Sequence, residues 1–130
     1  MMIADSDILI DYLRGREPGH GRIRLEVATG HLATTAINSF ELLSGVTGDG
    51  SRKKVSSLLA ALHIVPFDAK AGEHAAEVRR QLEAEGKPIG TADYLIAGVC
   101  LAQSATLLTR NRSHFARVPG LRLGIEAERA

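Results

Sequence analysis

The chain alternates short apolar runs with longer segments of helical periodicity along its length. The apolar runs predict strands at residues 2–4, 31–35, 63–67 and 105–109, with a short optional fifth at 121–124. The periodic segments predict helices at residues 6–14, 22–30, 36–46, 52–62, 69–86 and 91–103, with a turn at 48–51. Parallel strands need crossover connections, which are usually helical. We therefore expect an α/β fold, a three-layer α/β/α sandwich with a central parallel sheet of four to five strands.

Residues 91–103, TADYLIAGVCLAQ, form a predicted helix that is apolar on nearly every side. A helix without a polar face must be enclosed by the rest of the fold. Its one charged side chain is Asp93 in the first turn, where Thr91 can cap the helix and the helix dipole favours an anion. We therefore expect Asp93 at the rim of the sheet and not in the middle of the core.

The length of 130 residues suits a single domain, residues 1–130, with one sizeable core. The longest apolar run is about half as long as a membrane-spanning helix, and no basic segment precedes a signal-like apolar core. Cys100 is the only cysteine, which excludes a disulfide or a thiolate zinc site within the chain. These features predict a cytoplasmic protein that does not associate with membranes.

Polar side chains from distant parts of the sequence follow the predicted strands at one edge of the sheet. Asp5 ends the first strand, Glu41 lies in the helix after the second, and Asp93 begins the enclosed helix. Three polar residues follow the fourth strand: Thr109, Arg110 and Asn111. Ligands of open parallel sheets bind at this edge, where strands turn into helices. The topology therefore predicts that these side chains share one cleft.

Three carboxylates in one cleft repel each other by about 3 kcal/mol per pair at ~5 Å and an effective dielectric of ~20. A hard divalent cation removes this repulsion, since Mg²⁺ or Mn²⁺ takes carboxylate, water and phosphate oxygens as ligands. The histidines show no close ligand spacing, which disfavours zinc. The sequence also lacks a phosphate-binding glycine loop and a nucleophile motif. Metal-dependent hydrolysis of phosphodiesters is the predicted chemistry.

Several acids near the cleft keep alternative interpretations. Glu41 is either a ligand or a surface glutamate. Asp7 holds the metal, binds a water beside it, or caps the first helix. Asp11, one turn later on the same face, supports the metal ligands without binding the metal, or is solvated.

Residues 94–125 contain no Asp or Glu, although the net charge of the whole chain is only +1. The basic residues of this stretch are Arg110, Arg112, His114, Arg117 and Arg122. They form either a basic surface that attracts phosphate or a set of solvated loop arginines.

Three segments, in order and with fitting spacing, resemble the PIN-domain ribonucleases, most closely the VapC toxins of toxin–antitoxin pairs. They are "IADSDILIDYLRG" with Asp5, "TTAINSFELLSG" with Glu41, and "GKPIGTADYLIAGVCLAQSATLLTRNRSHFARVPGLRL" with Asp93. The resemblance covers nearly the whole chain. It implies an α/β/α sandwich and a Mg²⁺- or Mn²⁺-dependent endoribonuclease that cleaves structured RNA such as tRNA or ribosomal RNA. It also implies a small VapB-like antitoxin whose tail occupies the acidic groove, and a homodimer.

The resemblance also implies roles for individual side chains. Asp5 and Asp93 hold the metal, and Glu41 holds it or orients the attacking water. The remaining roles are support by Asp7, positioning by Thr109 and Asn111, and phosphate binding by Arg110 and Arg112. Asn111 stands where many PIN domains carry a fourth aspartate, and Asp7 stands where many carry asparagine or serine.

Three other functions fit parts of the sequence. A degenerate PIN domain would bind RNA or a partner without cutting, as Asn111 suggests. A haloacid-dehalogenase-like phosphatase would use Asp5 as nucleophile and Asp7 as acid, but Leu9 stands where that family has Thr or Val. A receiver domain would place Asp68 beside Asp5, Asp7 and Thr109, and would leave Glu41 and Asp93 without a role.

Overall fold

A parallel five-stranded sheet runs through the part of the chain that the computed structural model describes, residues 1–17 and 19–124. Its strands are β1 Met2–Ala4, β2 Leu32–Thr35, β3 His63–Val65, β4 Thr106–Leu108 and β5 Arg122–Leu123. Their order is β3-β2-β1-β4-β5, and every neighbouring pair is parallel. The central position of β1 places its carboxyl end, and therefore Asp5, between the ends of β2 and β4. The predicted fold class is confirmed, including the optional fifth strand.

Helices cover both faces of the sheet, as a parallel sheet requires. They are α1 Ser6–Leu13, α2 Gly19–Thr29, α3 Ala36–Ser44, α4 Asp49–Ala60, α5 Ala69–Ala84, α6 Thr91–Ala102 and α7 Arg112–Phe115. Ile3 of β1 belongs to the apolar cluster with α5 and α6, whereas Ala4 belongs to the cluster with α1 to α4. Successive strand residues thus point into two separate cores. Within the described residues, no helix has the length and apolar character needed to cross a membrane.

Helix α6 is enclosed, as its apolar sequence predicts, and it lies very close to α5. Ile96, Ala97, Val99 and Cys100 are each at most 1% exposed. At Gly98, an added Cβ would lie 2.5 Å from the Ala71 carbonyl oxygen of α5 and 2.7 Å from the Ala75 Cβ. Helices α5 and α6 can therefore approach this closely only because residue 98 is a glycine.

Two helix starts differ from the sequence prediction. Helix α2 begins at Gly19, three residues early, because the Glu17 carboxylate accepts a hydrogen bond from the Gly21 N–H in its first turn (2.9 Å). The predicted turn at 48–51 is wrong, since α4 already begins at Asp49. An acid in the first turn suits the helix dipole there.

Two further details near the end of the chain were not predicted correctly. Thr91 does not cap α6, because the N-cap is Gly90, with no side-chain cap. The four-residue helix α7 was missed, because one turn is too short to show periodicity; it is fixed by the fully buried Phe115.

Candidate metal centre

Asp5 lies at the junction of β1 and α1 and is only 7% exposed. It is the N-cap of α1, and its Oδ1 accepts a hydrogen bond from the Ser6 N–H (2.8 Å) and from Asn38 Nδ2 (2.9 Å). Its Oδ2 accepts from the Thr109 hydroxyl at 2.6 Å. Burial raises the pKa of Asp5 above its ordinary value. The three hydrogen bonds lower this pKa in part, and the nearby charge of Asp93 raises it further. Asp5 is a rigid, desolvated carboxylate.

Asn38 and Ser6 connect Asp5 to Glu41. The backbone N–H of Asn38 donates to the Thr35 hydroxyl in a capping box at the start of α3, which fixes the Asn38 side chain. Its amide then donates to Asp5 and to Ser6 Oγ, both at 2.9 Å. Ser6 Oγ in turn donates to Glu41 Oε1 at 2.7 Å. Glu41 therefore reaches the site through a hydrogen-bonded serine, and its carboxylate is not a solvated surface group on this side.

Asp7 is turned towards the segment after β4. Its Oδ2 accepts a hydrogen bond from the Arg110 N–H at 3.1 Å, while its buried Oδ1 has no hydrogen-bond partner in the described chain. Burial and the charge of Asp5 raise the pKa of Asp7 from its ordinary 3.8 to about 6, despite the lowering effect of Arg110. Helix capping, one of the roles considered for Asp7, belongs to Asp5 instead.

Asp93 stands in the first turn of α6 beside the short helix α7. His114 Nδ1 lies 3.2 Å from Asp93 Oδ2 and also 3.2 Å from Asn111 Nδ2. A protonated Nδ1 would donate to Asp93, and an unprotonated one would accept from Asn111. The Asn111 backbone N–H donates to Thr109 Oγ1 at 3.0 Å, so the β4–α7 segment connects Asp93 to the hydroxyl that holds Asp5.

The two arginines predicted to bind phosphate have protein partners. Arg110 Nε lies 2.9 Å from Asp11 Oδ2, and Asp11 is buried, so it is not a solvated acid. Arg112 Nη1 donates to the Gly124 carbonyl at 2.8 Å. Both guanidinium groups are thereby oriented on the surface after β4.

The predicted carboxylates share one edge of the sheet but do not form one compact ligand set. Within residues 1–17 and 19–124, no three His, Cys, Asp or Glu side chains are arranged to bind a single ion together. The donors nevertheless suit a hard cation that keeps several waters and uses one or two carboxylates. Asp5 is desolvated next to the charge of Asp93, and the buried Asp7 Oδ1 lacks a partner. A cation would relieve both conditions.

Three side chains of this site were not predicted from the sequence to belong to it: Ser6, Asn38 and His114. The pattern of Thr35 followed three residues later by Asn38 is a readable capping signal. It does not reveal that the Asn38 amide also reaches Asp5. Neither Ser6 nor His114 carries a local signal, because their partners Glu41 and Asp93 are distant in sequence.

Replacing Asp7 by Asn should change the pH dependence of stability. Since the pKa of Asp7 is raised in the folded protein to about 6, the folded state binds this proton more tightly than the unfolded state. Its contribution to the free energy of unfolding therefore falls as the pH rises from about 4 to about 6. In chelator, wild-type protein should lose thermal stability relative to Asp7→Asn over this range, as measured by paired melting curves. A difference that stays constant with pH would contradict this.

Known proteins that resemble this chain in sequence and in structure come from the same family. The PIN domain family model matches residues 2–121. Ribonuclease VapC2 of Rickettsia felis is 33% identical over 106 residues, covering 78% of this chain and 79% of the relative. The tRNA(fMet)-specific endonuclease VapC of Salmonella typhimurium is 27% identical over 111 residues, covering 82% and 84%. The crystal structure of VapBC2 from Rickettsia felis bound to a fragment of its promoter DNA contains a chain that superposes with a TM-score of 0.82 at 26% identity, covering 95% and 96%.

Proposed function

Since the chain belongs to the PIN-domain family and is a VapC-type ribonuclease, we propose that it hydrolyses RNA phosphodiester bonds with Mg²⁺ or Mn²⁺ held at the edge of its sheet. Residues 1–130 would act as a single domain, because every described strand joins one sheet. The observation that carries the proposal is the buried Asp5, held by three hydrogen bonds and facing the charge of Asp93.

Asp5 and Asp93 are the residues that would hold the cation, with Asp7 beside them through its unpartnered Oδ1. When bound, such a cation lowers the pKa of a water molecule and neutralises charge that develops on phosphate. Glu41, which accepts a hydrogen bond from Ser6, would orient a water or support the cation from the side.

The other side chains of the site position these acids. Thr109 and Asn38 fix the two oxygens of Asp5, so that the carboxylate does not need to reorient during the reaction. Asn111 connects Thr109 with His114 and hence with Asp93. An asparagine there adds no negative charge, so the acidic cluster is smaller than one with a fourth aspartate.

The partners of this chain are proposed from its relatives. The Salmonella typhimurium relative is named for tRNA(fMet), and the Rickettsia felis structure is a VapBC complex. We propose that this chain cleaves a tRNA or a ribosomal RNA in the cytoplasm and is inhibited by a VapB-like antitoxin. We also propose a homodimer. Phe40 and Leu43 of α3, 68% and 44% exposed, are apolar residues available for such protein contacts.

The test is cleavage of total cellular RNA by purified protein that is free of antitoxin. We expect discrete products with Mg²⁺ or Mn²⁺, no products in chelator, and recovery when the cation is restored in excess. Folded protein that binds Mn²⁺ and total RNA without cutting would instead identify a binding module, the function that Asn111 leaves open. Cleavage that persists in chelator would contradict a metal-dependent mechanism.

A further inference from the structure

Asp11 and Arg110 form an ion pair next to the acidic site, and it differs from the other arginine contacts of this region. Asp11 Oδ2 lies 2.9 Å from Arg110 Nε; the Asp11 side chain is 7% exposed and that of Arg110 is 53% exposed. The other arginines after β4 in the described part of the chain use a terminal Nη to contact backbone carbonyls: Arg112 to Gly124, Arg117 to Pro88, and Arg122 to Ser104. Arg110 is thus paired with Asp11 at its inner nitrogen, at ion-pair distance, and its two Nη groups have no hydrogen-bond partner in the described chain.

Arg110 is attached to α1 at two points that lie about one helical turn apart. Its backbone N–H donates to Asp7 Oδ2, and its side chain pairs with Asp11 one helical turn further along. Arg110 also lies between Thr109, which holds Asp5, and Asn111, which contacts His114. The guanidinium is therefore fixed at the rim of the acidic cluster.

The position of Asp11 is itself tightly constrained. Gly19, the first residue of α2, packs against it so closely that an added Cβ would lie 2.9 Å from the Asp11 Cβ and 3.2 Å from its Oδ2. Burying a carboxylate is costly, and a pair with a half-exposed arginine returns little stability. A buried acid that orients an outward-facing cation is better explained by what the cation binds.

We infer that Asp11 is a positioning residue that orients the Arg110 guanidinium to bind an RNA phosphate beside the acidic site. RNA approaching Asp5, Asp7 and Asp93 is repelled unless a positive charge receives its backbone. With the Asp11 carboxylate beside Nε, the two Nη groups remain available as the planar donor pair that matches phosphate oxygens. This inference rests on the proposed ribonuclease function and adds a substrate-binding group to that site.

A double-mutant cycle tests the inference. Kinetics of RNA cleavage are compared for wild type, Asp11→Asn, Arg110→Gln and the double variant. We expect Arg110→Gln to raise KM about tenfold with kcat within about twofold, as loss of one charged phosphate contact predicts. Asp11→Asn should raise KM about three- to tenfold in wild type, but should have no further effect in the Arg110→Gln background. The slope of log affinity against log salt should also decrease by about 0.7 in Arg110→Gln.

The control is an ion pair of the same chemistry on α5, Arg79 with Glu83, whose Nε to Oε2 distance is 3.0 Å. Arg79→Gln and Glu83→Gln should leave KM unchanged. Equal effects of Asp11→Asn in both backgrounds, or changes in melting temperature without a change in KM, would make the pair merely structural and overturn the inference.

Binding of fluorescently labelled total tRNA in chelator, measured by anisotropy for the same four proteins, separates this inference from the ribonuclease function. If wild type cleaves no RNA, the proposed function fails, yet the cycle in binding affinity still decides the role of Asp11. If wild type cleaves RNA and the four proteins bind tRNA equally, the inference alone fails.

Discussion

Replacing Asp93 by Asn should lower the rate of RNA cleavage by about 10³-fold or more without unfolding the protein. In the proposed mechanism a cation at this site would contribute several kcal/mol to the reaction, and each 1.36 kcal/mol corresponds to a factor of ten in rate. The variant keeps the side-chain volume but loses the charge that would pair with the proposed cation. Loss of a favourable helix-dipole contact costs about 0.3–1 kcal/mol, and relief of repulsion with Asp5 offsets part of it. Cleavage kinetics and melting curves on one preparation measure both effects.

Asp49→Asn is a matched control for this substitution. Asp49 and Asp93 both lie in the first turn of a helix, and each of these helices begins after a glycine N-cap that has no side-chain cap. Their effects on helix stability should therefore be similar, whereas only Asp93 lies at the acidic cluster. A large loss of cleavage in Asp49→Asn, or normal metal-dependent cleavage in Asp93→Asn, would refute the assignment of Asp93.

The sequence was sufficient to predict the sheet and the edge where Asp5 lies, because both depend on local patterns. Apolar runs define the strands, and a parallel sheet brings their carboxyl ends to one edge. Enclosure of α6 followed from its lack of a polar face. Helix ends were less predictable. The start of α2 depends on the hydrogen bond that Glu17 accepts and on the close packing of Gly19. The start of α4 was missed because Asp49 followed by Gly50 is a sequence typical of a turn.

The hydrogen-bond network around Asp5 could not be predicted from the sequence. Asn38 reaches Asp5 only because β1 and β2 pair with Ile3 opposite Ala33, which brings the start of α3 beside the start of α1. The same reasoning applies to Asp11: of its two interpretations, the solvated one is wrong, because Asp11 is buried against Arg110. A residue's exposure and partner depend on strand register, and the register is decided by the whole sheet.

Replacing Gly98 by Ala should be among the most destabilising single-methyl additions in this chain. The new Cβ would lie 2.5 Å from the Ala71 carbonyl oxygen, a backbone atom that cannot rotate away. Helices α5 and α6 would have to separate, and overpacking of this kind costs about 2–3 kcal/mol. We expect a fall in melting temperature of about 10 °C.

Gly50→Ala is the control, because Gly50 lies in the exposed first turn of α4 with nothing within 4 Å of an added Cβ. It should be neutral or stabilising by up to about 1 kcal/mol.

The same substitution should also lower RNA cleavage at temperatures where the protein remains folded. Gly98 and Asp93 belong to one helix, so a displacement of α6 away from α5 moves Asp93 relative to Asp5, which is fixed separately by β1 and Thr109. A displacement of about 1 Å between catalytic groups can reduce a rate by about 10²-fold. Cleavage by Gly98→Ala, assayed at least about 15 °C below its own melting temperature, should therefore fall well below that of Gly50→Ala. Full activity in the destabilised variant would show that the position of Asp93 does not depend on the contact between α5 and α6.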